Sequence, residues 1–278
     1  MSHDFDLDAY LARIGFAGER APTLDTLRRV QLGHASSIPF ENLDPYLRRV
    51  PLLDAESLTE KMVRGRRGGW CFEQNGLLRR ALDALGFHTT GLAARVMWNV
   101  PEGTVTPRAH MLVLVEVEGE PYVADVGFGV LTPTGPLRLV AGLEQATPHE
   151  PFRLMHDGDY LVMQALLGGE WRALYRFDLQ PQLEPDYRVS NWYLCTNPVS
   201  HFLANVIAAS VDADGRWTLR SETLTRRTRD GRTETRTLAS GAELRSVLEE
   251  TFGIDVPRGA EVDEALERAI GAALALRS

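Results

Sequence analysis

A cysteine that follows two glycines and opens a predicted helix is the most informative chemical feature of the sequence. Cys71 stands in residues 67–76, which read RGGWCFEQNG. At a helix N-terminus, unpaired backbone N–H groups and the helix dipole favour the thiolate, the nucleophilic form of cysteine. Gly68 and Gly69 are expected to let another molecule approach the sulfur. The alternative is that Cys71 is a small buried hydrophobic residue beside a glycine loop.

A cysteine nucleophile needs a base and a group that orients the base. Among the seven histidines, His110 is the candidate, because it begins the apolar strand of a predicted hairpin whose returning strand carries Asp125. If Glu118 and Gly119 form a two-residue loop, residues whose numbers sum to an odd value share a face, as His110 and Asp125 do. Such diagonal neighbours lie about 7–8 Å apart at the backbone, within reach of a carboxylate–imidazole hydrogen bond.

A charged residue inside the apolar run Val123 to Gly127 is costly unless it is paired, which favours a role for Asp125 beside His110. Two other interpretations stay open: Asp125 is solvated at the strand end, or it caps the turn that follows. The other histidines are expected to be structural or on the surface. His34, for example, is expected to complement the negative end of a helix that begins after Thr23.

The elements that must position these residues divide the chain into three segments. Residues 1–86 are predicted to form a helical bundle that carries Cys71, with a helix running from the cysteine to a left-handed cap at Gly86. Residues 87–200 are predicted to be rich in strands and turns up to about Cys195, and they carry His110 and Asp125. Residues 201–278 mix strand candidates (202–211, 217–226 and 233–238) with two helices, one of them capped by Ser240 and Glu243.

Composition narrows the class of protein. The chain has 278 residues, 44% of them hydrophobic, and a net charge of −8 with neutral histidines, which argues against a general nucleic-acid binder. Of 30 basic residues only Lys61 is a lysine, interpreted here as a coding bias. Cys71 and Cys195, the two cysteines, are typical of a reducing cytoplasm, and no structural metal site is expected. The sequence shows no membrane span and no secretory signal, so a cytoplasmic location is expected.

Taken together, these motifs resemble the arylamine N-acetyltransferase family over nearly the whole chain. The segments that carry the resemblance are Ile38 to Leu43, Arg67 to Asn75, His110, Asp125 to Gly129, and Ser190 to Phe202. The resemblance implies an α+β fold: a helical bundle, an antiparallel barrel-like β domain and a C-terminal α/β lid, with a core similar to that of cysteine proteases and transglutaminases.

The resemblance also implies roles for residues. Cys71 is the acyl-accepting nucleophile, His110 the base and Asp125 its partner. Phe40 and Phe202 line the substrate site, and Gly127, Phe128 and Gly129 lie beside coenzyme A, with backbone N–H groups near them as expected donors. Acetyl-CoA is a co-substrate and no cofactor is permanently bound. The acceptor is an arylamine, arylhydrazine or arylhydroxylamine, the kinetics are ping-pong, and the protein is a monomer or homodimer.

The resemblance leaves some questions open. Ala109 stands where many relatives have a small hydroxyl residue, so a side-chain contact to the coenzyme at that position is in doubt. Cys195 lacks a helix start and a base, and we expect it to be packed core. The alternatives for function are a macrolactam-forming amide synthase of the same family, a Cys-His-Asp thiol hydrolase, and a CoA-binding scaffold with a vestigial site.

Overall fold

Helices form the N-terminal part of the molecule, in a computed structural model that describes residues 5–101 and 103–275. In chain order the elements are α1 (Leu7–Arg13), α2 (Leu24–Ser37), strand β1 (Phe40–Glu41), α3 (Leu43–Tyr46), α4 (Ala55–Leu58), a π-helical continuation of α4 (Thr59–Arg64) and α5 (Cys71–Ala84). The predicted cap of α2 is confirmed, because Thr23 accepts a hydrogen bond from the N–H of Thr26 at 3.3 Å. The helices pack through buried aliphatic residues such as Leu27, Leu77 and Leu82.

The middle of the chain forms one antiparallel sheet of eight strands. They are β2 (His88–Val96), β3 (Arg108–Val117), β4 (Glu120–Ala124), β5 (Leu137–Arg138), β6 (Glu144–Gln145), β7 (Phe152–Asp157), β8 (Tyr160–Leu167) and β9 (Glu170–Phe177). Their spatial order is β5-β4-β3-β2-β9-β8-β7-β6. Glu118 and Gly119 both have positive φ, the conformation that a two-residue hairpin loop requires, and the predicted β3–β4 hairpin is confirmed.

The last part of the chain builds a second sheet and two helical segments that cover it. The elements are α6 (Glu184–Thr196), α7 (His201–Ala204), β10 (Ile207–Asp212), β11 (Gly215–Arg220), β12 (Thr223–Thr228), β13 (Thr233–Thr237), α8 (Gly241–Ser246) with a π-helical continuation (Val247–Thr251), and α9 (Ala260–Ala275). The sheet order is β1-β10-β11-β12-β13, so a strand from the N-terminal segment forms one edge. The capping by Ser240 is confirmed, because its Oγ accepts from the N–H of Glu243.

The α+β fold class and the antiparallel barrel-like sheet are confirmed. The three-way division at residues 86 and 200 stays a prediction. Strand β1 hydrogen-bonds to β10, so the first and last segments share a sheet. No helix in the described ranges is long and apolar enough to cross a bilayer.

Two sequence-based assignments of secondary structure are wrong. Residues 184–204 are mostly helical, whereas strands and turns were expected as far as Cys195 and a strand from Phe202 onward. The buried positions of α6, Tyr187, Asn191 and Cys195, recur every four residues, a helical period that includes a polar residue and was therefore missed. The predicted strand over 217–226 is two strands, β11 and β12, joined by a tight turn at Ser221, which has positive φ.

Candidate active site

Helix α5 begins at Cys71, as predicted, and presents the cysteine in its first turn. The two preceding glycines pack against the chain itself. A Cβ on Gly68 would lie 2.0 Å from the carbonyl oxygen of Pro39, and one on Gly69 would lie 2.9 Å from the Cβ of Glu73. The expectation that the glycines make room for another molecule is therefore not met, because they let the loop lie directly on β1 and on α5.

The hairpin brings His110 and Asp125 together, as the parity argument predicted. The Nε2 of His110 lies 2.7 Å from Oδ2 of Asp125, and both side chains are almost fully buried. The alternative that Asp125 is solvated is wrong. The alternative that it caps the next turn holds at the same time, because its Oδ1 accepts from the N–H of Gly127 at 2.8 Å.

Cys71 completes the group. Its side chain lies close enough to the imidazole of His110 to help raise the pKa of that histidine, and Nε2 of the same ring faces Asp125. The sulfur also lies 3.6 Å from the carbonyl oxygen of Ala109. Ala109 is the extra residue of a β-bulge between β2 and β3, where Ala94 pairs with His110 and Arg95 with Arg108. The bulge therefore contributes a carbonyl group to the site.

The electrostatics of the pair favour a charged imidazole. Burial alone would lower the pKa of His110, but the charge of Asp125 and its hydrogen bond raise that pKa to about 10. Burial alone would likewise raise the pKa of Asp125, yet His110 and the hydrogen bonds from Asn75 and Gly127 hold it below its ordinary value. A cysteine beside a charged imidazole that a carboxylate orients is an arrangement suited to nucleophilic attack by sulfur.

Two partners of Asp125 were not found from the sequence. Asn75, one turn after Cys71, donates to Oδ1 of Asp125 at 2.9 Å and to the carbonyl oxygen of Met111 at 2.7 Å. Tyr175, on β9, donates its hydroxyl to Oδ2 at 2.9 Å, and burial raises its pKa so that the phenol keeps its proton. The position of Asn75 next to the cysteine motif was the available signal, whereas no pattern links Tyr175 to the site.

Phe40 and Phe202 belong to the hydrophobic cluster that contains Cys71, as the predicted substrate-site role requires. Their ring centroids are 6.3 Å apart, and Phe202 also meets Trp70 edge-on at 5.2 Å. Phe40 is buried and Phe202 is half-buried. These rings form an aromatic wall beside the sulfur, a surface suited to a planar aromatic group.

The turn of Gly127, Phe128 and Gly129 lies beside the site, and two of its backbone N–H groups are hydrogen-bonded to side chains of the protein itself. The N–H of Gly127 donates to Asp125, and the N–H of Gly129 donates to Oγ1 of Thr132 at 2.8 Å. These two N–H groups were expected to be donors for coenzyme A, and both are already used. Phe128 packs edge-on against the His110 ring at 5.3 Å, so it is a wall of the site.

The structure contradicts the role predicted for His34 and agrees with the one predicted for Cys195. His34 does not serve as a charged helix terminus. Its ring is fully buried between the hydroxyl of Tyr10 (2.8 Å) and Oε1 of Gln74 (2.6 Å), and burial lowers its pKa to about 4, so it is neutral. Cys195 is a buried free thiol in the cluster around Cys71, and burial raises its pKa to about 12, which agrees with the predicted packing role. Within residues 5–101 and 103–275, no three His, Cys, Asp or Glu side chains are arranged to hold a metal.

Comparison with known proteins assigns the family. A family model described as N-acetyltransferase matches residues 23–261, which include Cys71, His110 and Asp125. The chain is 43% identical over 279 residues to the arylamine N-acetyltransferase of Mycobacterium tuberculosis, covering 96% of this chain and 98% of the relative. The chain belongs to the arylamine N-acetyltransferase family.

Solved structures of the arylamine N-acetyltransferase family extend the match to the fold. The Mycobacterium marinum enzyme superimposes with a TM-score of 0.92 at 42% identity, covering 95% of this chain and all of that one. The same enzyme in complex with CoA gives a TM-score of 0.91 at 41% identity, covering 95% and 99%. The family resemblance inferred from the motifs is thereby confirmed across all three segments of the chain.

Proposed function

We propose that this chain transfers an acetyl group from acetyl-CoA to an arylamine, arylhydrazine or arylhydroxylamine through an acetyl-Cys71 intermediate. The observation that carries the proposal is the grouping of Cys71, at the start of α5, with the buried His110–Asp125 pair, in which Nε2 lies 2.7 Å from Oδ2. The names of the relatives and the CoA complex of the M. marinum enzyme support the choice of donor and acceptor.

In the first half-reaction, the Cys71 thiolate attacks the thioester carbonyl of acetyl-CoA. The imidazolium of His110, which holds the former thiol proton, donates it to the departing CoA sulfur. One thioester replaces another, so the exchange is nearly neutral in free energy, and acetyl-Cys71 remains. Asp125 keeps the imidazole oriented and stabilises its positive charge.

In the second half-reaction, a neutral amine attacks the acetyl-Cys71 carbonyl. His110, now neutral, accepts the proton that the amine loses as the amide forms and the cysteine leaves. Aromatic amines are weak bases that stay neutral near pH 7, and the aromatic wall of Phe40, Trp70 and Phe202 is placed to hold such rings. The product amide is more stable than the thioester, which drives the transfer.

A face of the second sheet supports a path for the acyl donor. The paired residues Phe40, Ala209, Thr218, Thr225 and Thr235 form one row across β1, β10, β11, β12 and β13. This row, called here the threonine row, runs from the buried cluster around Cys71 to the exposed sheet edge. Four strand spacings make it about 19 Å long, similar to an extended pantetheine arm.

The residues on either side of the threonine row are also suited to binding acetyl-CoA. Arg220 is exposed on the same face, one row away, and offers a cation to the phosphates of the polyanionic donor. On the other side, Arg216 donates to the carbonyl oxygen of Thr132 and to Glu150, which fixes the turn after Gly129 against the sheet. We therefore propose that the pantetheine arm lies along the threonine row.

Initial rates test the two-step mechanism. With acetyl-CoA and p-aminobenzoate varied together, ping-pong kinetics give parallel double-reciprocal lines, and Cys71→Ala loses CoA release. Cys195→Ala, a second buried cysteine of the same cluster, retains it. Intersecting lines would contradict the covalent route. CoA release that is indifferent to any amine would favour a thiol hydrolase, and failure across a broad panel of arylamines and hydrazines would favour an amide synthase.

A further inference from the structure

Five charged side chains are buried together beneath the first turn of α5. They come from five parts of the chain: Glu41 of β1, Asp44 of α3, Lys61 of the π-helical segment and Arg67 of the glycine loop pack around Glu73 of α5. Their side chains are between 0% and 16% exposed. The acyl-transfer steps do not use any of these groups, so the cluster needs another explanation.

Lys61 joins two elements within this cluster. Its Nζ donates to Oδ2 of Asp44 at 2.6 Å and to Oε1 of Glu73 at 2.7 Å. The other oxygen of Glu73 accepts from the backbone N–H of Trp70 at 3.1 Å, immediately before Cys71. Gly69 lets the Glu73 carboxylate come this close, since a Cβ there would lie 2.9 Å from its Oε2. A chain of contacts therefore runs from Lys61 to the backbone that begins the cysteine helix.

The identity of this cation is informative, because the chain uses arginine 29 times and lysine once. Arg67 already places a planar guanidinium in the cluster, on Glu41 at 2.7 Å and Asp44 at 3.4 Å. The remaining space between Asp44 and Glu73 takes a compact ammonium that contacts two carboxylates from different elements. A second guanidinium, which is larger and planar, does not fit that geometry without moving one of them.

We propose that Lys61 is a positioning residue for Cys71, acting through Glu73 and the backbone N–H of Trp70. The inference rests on the proposed role of Cys71 as the acyl acceptor. Lys61 touches neither substrate nor sulfur. It holds the carboxylate that caps the first turn of α5, and this turn sets the direction of the thiol toward His110.

The charges in the cluster also indicate that Glu73 depends on Lys61 to remain an anion. Burial raises the pKa of Glu73 to about 7, with Lys61 opposing the rise and Glu41 and Asp44 adding to it. Three carboxylates and two cations share the site, and Cys195 lies near enough for its pKa to respond to Glu73, Lys61 and Asp44. Without the ammonium, Glu73 is a buried carboxyl next to two others, and it takes up a proton instead of accepting from Trp70 as an anion.

The test measures the first half-reaction alone, as the rate of CoA release in one turnover with increasing acetyl-CoA. For Lys61→Met we expect a maximal rate about tenfold lower, with the half-saturating concentration unchanged, because the turn that aims the thiol is altered and the donor site is not. Lys61→Arg should not restore the rate. Arg64→Lys, an exchange at an exposed cation of the same segment, is the matched control and should react like the parent protein.

Two further variants cover the case in which Lys61→Met fails to fold. Glu73→Gln keeps the shape but removes the charge and should also slow the maximal rate several-fold. The double variant Lys61→Met/Glu73→Gln replaces the carboxyl group that has lost its partner with a neutral amide and should regain thermal stability without regaining the rate. Parent-like rates in Glu73→Gln, or full recovery by Lys61→Arg, would overturn the proposal. Absence of CoA release in the parent protein would instead refute the proposed function.

Discussion

At the scale of single residues, Asp125 decides what the site can do. Its carboxylate accepts four hydrogen bonds, from His110 and Tyr175 on Oδ2 and from Asn75 and Gly127 on Oδ1. A carboxylate held in this way stays ionised inside the protein and supports a charged imidazole. In the proposed mechanism, the acid that protonates the leaving CoA sulfur therefore depends on the same contacts that hold the aspartate in place.

Tyr175→Phe tests the contribution of one of these contacts. Loss of the hydroxyl removes a hydrogen bond to the charged Oδ2 of Asp125 and weakens its hold on His110, so we expect kcat/KM to fall about five- to tenfold. Tyr187→Phe is the matched control, because that buried hydroxyl donates to the carbonyl oxygen of Leu92 instead. If both variants lose the same activity, the effect is general packing and the assignment of Tyr175 to the site is wrong.

The sequence predicted the His110–Asp125 pair but not the contacts of Asn75 and Tyr175 with Asp125, and the reason is physical. The His110–Asp125 contact follows from a local hairpin with a two-residue loop, whose register is fixed by strand parity. Asn75 and Tyr175 each lie 50 residues from Asp125, and their contacts depend on how α5 and β9 pack against the hairpin. Pairing within one hairpin can be predicted from spacing, whereas packing between elements cannot.

At the scale of elements, the buried side chain of Gln74 fixes α5 against its neighbours, together with His34 of α2. Gln74 donates to the carbonyl oxygens of Pro39 and Gly69, at 2.7 and 3.2 Å, and its Oε1 accepts from His34 of α2. Because the Gln74 carbonyl accepts only, Nε2 of His34 is the donor and Nδ1 accepts from the hydroxyl of Tyr10. The neutral imidazole satisfies both partners, and protonation would break the second contact.

Because His34 is neutral in the folded protein, we expect the free energy of unfolding to fall as the pH is lowered. An unfolded histidine titrates near pH 6.5, whereas burial lowers the folded pKa of His34 to about 4. Between these values the unfolded state binds more protons, so the free energy of unfolding falls as the pH falls, by about 3 kcal/mol over the full interval. Denaturant unfolding measured from pH 7.5 to 4 checks this loss.

Two histidine variants separate the contribution of His34 from that of the other titratable groups. His34→Gln should flatten the slope between pH 6.5 and 4, even though it lowers stability at neutral pH. His156→Gln replaces an exposed histidine and should leave the slope as it is in the parent protein. An unchanged slope in His34→Gln would show that His34 is not neutral in the folded protein.

At the scale of the whole molecule, the site is built where the N-terminal helices and the two sheets meet. The helical segment supplies Cys71 and the edge strand β1, the eight-stranded sheet supplies His110 and Asp125, and the second sheet supplies the threonine row. Glu150 joins the two sheets by accepting from Arg216, which is almost fully buried, and from Arg227. The proposed donor path therefore depends on the chain folding as one unit, and it crosses two strands, β11 and β12, that the sequence predicted as one.

Thr225→Val tests this path. The change keeps the shape and removes one hydroxyl from the threonine row, so the half-saturating concentration of acetyl-CoA should rise about three- to tenfold while the maximal rate stays the same. Thr228→Val is the control, because Thr228 lies on the same strand and the opposite face. An unchanged half-saturating concentration in Thr225→Val would place the pantetheine arm elsewhere.

The central claim is that the sulfur of Cys71 carries the acetyl group between two substrates. Intact-mass analysis after mixing the protein with acetyl-CoA alone, followed by peptide mapping, measures this directly. We predict a single added acetyl group on the peptide containing Cys71, which disappears when an arylamine is added and reappears as the acetylated amine. No added mass, or acetylation at Cys195 with Cys71 unmodified, would contradict the account.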